Sequence, residues 1–95
     1  MDLTRYYRFD ELTNEAERLV IEELGEQLEK SHPRIADDEG LVLDIAAYAL
    51  NHVPPMYRVN LLGRIYADTF RDHYGEQIRA AVQGAIEKIT SSDQA

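Results

Sequence analysis

The chain has 95 residues, a net charge of −8 and no cysteine. That length is one domain, and a chain so short buries a limited share of its surface, which makes self-association a common remedy. The charge argues against bulk binding to DNA or to an anionic membrane, and the lack of thiols excludes a disulfide framework, a cysteine nucleophile and a zinc–thiolate site.

The charge is unevenly spread. Residues 10–44 carry twelve acids and three bases, whereas residues 45–95 carry five of each. Between Ile45 and Ala67 the only formal charges are Arg58 and Arg64. The bases are eight Arg and two Lys, and Arg presents a planar fork suited to phosphate and to stacking on rings. No apolar run reaches the roughly 20 residues needed to span a bilayer. Met1-Asp2-Leu3-Thr4-Arg5 leads into no signal-peptide core, so the expected location is the cytoplasm.

In chain order, residues 1–12 set Tyr6, Tyr7 and Phe9 among Arg5, Arg8 and Asp10, as a short helix or an ordered arm. Thr13 or Asn14 starts the first clear helix, and Asn14 with Glu17 fits a capping box. Ala16, Leu19, Val20, Leu24 and Leu28 recur at helical spacing, and Ser31-His32-Pro33 stops the helix near Lys30. Residues 33–40 form a polar connector in which Asp37, Asp38 or Glu39 can cap the next helix. That helix spans about Leu41–His52. Its alanines permit close approach of neighbours, and it is expected to be central.

Pro54 and Pro55 end it abruptly, because proline lacks an N–H and clashes with the preceding turn. Residues 56–60 are extended. Asn60 is a candidate cap for a helix over about Leu61–His73, with apolar positions Leu62, Ile65, Tyr66, Thr69 and Phe70. Gly75 fits a helix stop. A last helix over about Glu76–Thr90 carries Ile78, Ala81, Val82, Ala85, Ile86 and Ile89 on one stripe. Whether these last two are separate helices or one kinked rod turns on Gly75. Residues 91–95 should fray. The expected fold is an all-α, single-domain bundle of four to five helices, with its core in residues 13–90 and a homodimer as its working form.

The run Asp44-Ile45, Ala49-Leu50-Asn51, Pro54-Pro55, Tyr57 and then Gly63 resembles the late competence development ComFB family. Gln77-Ile78, Ala81-Val82 and Ala85-Ile86 follow the same family, and the resemblance covers most of residues 15–90. It implies a small helical homodimer without enzymatic activity. Some members look like receptors for cyclic di-GMP or cyclic di-AMP in motility, competence or cell-size signalling. Others place cysteines ahead of the Asp-Ile pair and look like zinc binders. This chain has Ala36-Asp37-Asp38-Glu39-Gly40 there, so zinc is not carried over.

A cyclic dinucleotide offers two phosphates and two purines, and calls for guanidinium donors and flat stacking groups. Arg5, Arg8, Arg58 and Arg64 are candidates for phosphate or base edges, with Tyr6, Tyr7 and Tyr57 as stacking partners. A two-fold dimer would supply each group twice, matching the ligand's symmetry. The same residues are also accounted for as half-buried packing tyrosines and solvated arginines. Asp44 and Asn51, seven apart on nearly one helix face, either contact the ligand or act as an ion-pair partner and a helix cap. His32, His52 and His73 lie on separate elements with no metal-ligand spacing. His52, beside the double proline, is a candidate polar contact. No catalytic triad spacing or glycine-rich phosphate loop is present, so neither an enzyme nor a cofactor is expected. Two readings follow: a cyclic dinucleotide receptor that signals to a downstream protein, or a dimeric protein-interaction module with no small ligand.

Overall fold

The computed structural model describes the backbone of residues 1–94 and the side chains of residues 1–59 and 68–91. Three α-helices carry the fold: α1 (Glu15–Ser31), α2 (Glu39–Leu50) and α3 (Asn60–Gln94). Short 3-10 turns at Leu3–Arg5, Phe9–Glu11 and Ile35–Asp37 fill the connections. Two strands, β1 (Leu12–Asn14) and β2 (Tyr57–Val59), form an antiparallel ladder that pairs Leu12 with Val59, Thr13 with Arg58 and Asn14 with Tyr57.

α1 forms where the periodic leucines place it. Asn14 is its N-cap, and its side-chain oxygen accepts from the Ala16 N–H at 3.1 Å. The same oxygen accepts from the Met56 N–H at 2.8 Å, so one cap also anchors the chain entering β2. Ala16, Leu19, Val20, Leu24 and Leu28 are all buried. They pack against Ile45 and Ala49 of α2 and against Ile78, Val82, Ala85 and Ile86 of α3.

Of the three acids offered as caps for α2, Asp38 takes the role, its Oδ1 accepting from the Leu41 N–H at 3.1 Å. α2 ends at Leu50, two residues earlier than expected, with the Asn51 N–H turned back onto the Ala47 and Tyr48 carbonyls. The double proline sits beyond this cap, and the corner is clamped to the core by Val53 and Met56, both buried. α2 is not enclosed: Leu43 is 61% exposed, and Asp44 and Ala47 are exposed beside it. It packs against both α1 and α3, and this one face is left uncovered.

Of the two arrangements left open at Gly75, the continuous one is found. α3 is one helix through that position and onward through residues 91–94, which were expected to fray. Three helices therefore replace the four to five anticipated. Gly75 keeps helical φ, outside the left-handed region in which glycine ends a helix. The stripe Ile78, Val82, Ala85 and Ile86 behaves as expected, while Thr69 is exposed and Phe70 half-buried. Leu62, Ile65 and Tyr66, and the capping side chain of Asn60, fall outside the described side chains.

A Cβ at Gly75 would meet nothing within 4 Å. Gly75→Ala should therefore stabilise the fold by about 0.5–1 kcal/mol through helix propensity alone. A urea melt should show a higher midpoint with an unchanged slope; a lower midpoint would mean that Gly75 serves a bend.

Candidate functional site

The first turn of α1 and the strand β2 meet at a buried carboxylate. Glu15 is 2% exposed, the one buried charged residue among those described. Its N–H donates to the Met56 carbonyl at 2.8 Å, extending the β ladder by one pair. Its carboxylate is held from two sides. The Arg58 Nε donates to Oε1 at 2.5 Å, and the Arg18 Nε donates to Oε2 at 2.9 Å. Arg18 reaches on to Glu22 at 2.8 Å, and Glu22 in turn accepts from Arg71 of α3 at 2.7 Å. Arginines and glutamates thus alternate from β2, across α1, to α3.

Burial pushes the Glu15 carboxyl up, but the hydrogen bonds and charges of Arg58 and Arg18 together outweigh it and hold the group below its ordinary value. The positive N-terminal end of α1 favours the same ionised form.

The strand geometry separates two residues that the sequence sets side by side. Successive side chains of a strand point to opposite faces. Arg58 turns inward to Glu15 and its side chain is 21% exposed, whereas Tyr57 is 62% exposed. They cannot grip one ligand from a single face of β2. The outward face of the ladder is apolar and uncharged: Leu12 (47% exposed) lies directly across from Val59 (50% exposed), with Tyr57 beside them.

The other candidates are scattered. Arg5 closes the first 3-10 turn, and Tyr6, Tyr7 and Arg8 follow it, all four exposed. Arg8 makes a long, exposed pair with Glu11 at 3.6 Å. Asp44 and Asn51 are both exposed on α2 and its cap. No ion pair includes Asp44 among the described residues. No hydrogen bond or ion pair among the described residues joins the Arg5–Arg8 arm to Asp44 or Asn51. The Arg64 side chain lies outside the described residues. His52 stacks on Tyr48, with ring centroids 4.3 Å apart, and its Nδ1–H donates to the Tyr48 carbonyl at 2.7 Å, so it packs the end of α2. No group of His and acidic side chains among the described residues could hold a metal ion.

Sequence reasoning did not single out Glu15 or Arg18. An acid in the first turn of a helix is ordinary, and nothing local marks this one as buried. The only signal was indirect: Arg58 is one of just two charges in a long neutral stretch.

The chain matches the family described as late competence development protein ComFB over residues 13–93. The match takes in all but the first residue of the β ladder, all of α1 and α2, and nearly all of α3, so the chain belongs to the ComFB family. No curated protein matches it.

Arg58→Ala should destabilise the fold by about 1.5–3 kcal/mol, because it removes one of two charged contacts on a buried carboxylate while Arg18 keeps the other. The pH dependence follows from the lowered value of Glu15. Its stabilisation is complete above the ordinary glutamate value of the unfolded chain and is lost as pH falls through the lower folded-state value. Urea melts from pH 7 down to pH 3 should show this loss, and Glu15→Gln should flatten it. An acid limb unchanged in Glu15→Gln would mean that other carboxylates control it.

Proposed function

We propose that this chain is a cytoplasmic, non-enzymatic signalling receptor that binds a cyclic dinucleotide, cyclic di-GMP or cyclic di-AMP, as a homodimer and relays that state to a downstream protein. The observation that carries this reading is the exposed set Arg5, Tyr6, Tyr7, Arg8 and Tyr57. It gives a chain of net charge −8 exposed guanidinium forks and flat rings, the two group types a purine dinucleotide requires. ComFB membership supports it, since the family resemblance implies such receptors. Arg58 enters this reading as a group shared between structure and ligand, because its fork already holds Glu15. Arg64, Asp44 and Asn51 remain candidate contacts, and the end of α2 with the double-proline corner is the candidate dimer contact.

A second reading, an interaction module with no small ligand, is favoured by one observation. Leu12, Tyr57 and Val59 form an exposed, uncharged patch of the kind that marks protein contacts.

Calorimetric titration with cyclic di-GMP and then cyclic di-AMP separates the two. Under the receptor reading one of them binds at micromolar concentration or tighter. Tyr57→Ala and Arg5→Ala, both at exposed positions, then weaken binding about tenfold each, in line with roughly 1–3 kcal/mol per stacked base. Arg58→Ala is a poor test, since it also strips Glu15. No heat with either nucleotide leaves the interaction module, and a monomer by light scattering at micromolar concentration removes the dimer from both readings.

A further inference from the structure

At the end of the molecule where α1 stops, a hollow of about 490 Å³ opens between the α1–α2 connector and the late turns of α3. None of the candidate residues discussed above lines it. Its apolar wall is Pro33, Ile35 and Leu41, with the Thr90 side of α3 opposite. Ile35 and Leu41 are half-buried and packed on the core, so this wall is held in place. Thr90 is fixed as well, its hydroxyl donating to the Ile86 carbonyl at 2.6 Å.

The charge around the hollow runs against the rest of the chain. The protein has eighteen acids, yet no carboxylate lines this space among the described residues, whereas Arg34 and His32 do. No ion pair includes either of them among the described residues. The two nearest acids after Arg34 do not hold it: Asp37 makes no ion pair with it among the described residues, and Asp38 is committed to the α2 N-cap. A hollow of a few hundred Å³ with an apolar wall and a few polar groups along it has the size and composition of a small-molecule site. An Arg fork at its rim selects a planar anion.

We propose that this hollow is a second binding site, for a small carboxylate carried on a flat or short aliphatic apolar body. The apolar part lies against Pro33, Ile35 and Leu41, and the carboxylate meets Arg34, with the His32 ring beside it. The site is separate from the β-ladder corner and does not depend on cyclic dinucleotide binding.

The test is an amide chemical-shift titration with 2-naphthoate, alongside the neutral 2-naphthylmethanol, which has the same ring body. The expected result is saturable shifts centred on residues 31–35, Leu41 and Thr90. The anion should bind about tenfold tighter than the alcohol, the difference one charged hydrogen-bonded contact supplies. Arg34→Gln, at an exposed position, should fold normally and bring the anion's affinity down to that of the alcohol. Leu41→Ser should weaken both probes together. Non-saturating shifts, shifts centred on Tyr57, equal affinity for the two probes, or Arg34→Gln without effect would each overturn the proposal.

Discussion

The buried Glu15 carboxylate organises the corner of this protein where helix meets strand. A charge that is 98% removed from solvent persists only if its partners are fixed in place. Here the partners are Arg58, from a strand, and Arg18, one turn along the same helix. The arrival of Arg58 depends on the β1–β2 pairing, which is anchored by the Asn14 oxygen serving both Ala16 and Met56. The helix start, the strand pairing and the ion pair are therefore one cooperative unit. The Glu22–Arg71 contact extends that unit across α1 to α3, though its half-exposed groups add little energy of their own.

This constraint sorts the charged and aromatic residues into two kinds. Arg58 is held inside the corner, while Tyr57, one residue away, is turned out with Leu12 and Val59. A dipeptide that reads as a single recognition element becomes a structural half and a presented half, because a strand alternates its faces. The outward half is apolar and exposed, in a protein whose acids crowd residues 10–44.

Where periodicity was strong, residues translated directly into core. The α1 leucines, and the Ile78, Val82, Ala85 and Ile86 stripe of α3, are buried as their spacing requires. Asn14 and Asp38 cap the helices that follow them, since a short polar side chain just before an apolar repeat has one favoured use. The double proline ends α2 for an equally local reason. Three features were not legible. β1 is three residues long, too short to show a period of two. Gly75 looked like a stop, yet its flanking turns both face the core, and packing outweighs the roughly 1 kcal/mol that glycine costs inside a helix. The open face of α2 at Leu43 was the third, because composition does not say how many sides of a helix are covered.

By itself the sequence determined the helical class, the helix starts, the apolar stripes that form the core and the ComFB family, because capping, periodicity and proline chemistry act over a few residues. Only the tertiary structure decided that residues 12–14 pair with 57–59, that α3 is one rod, and that Arg58 belongs to Glu15, forty-three residues away in the chain. These depend on which distant segments meet, and a pairing across that distance leaves no periodic trace in either segment.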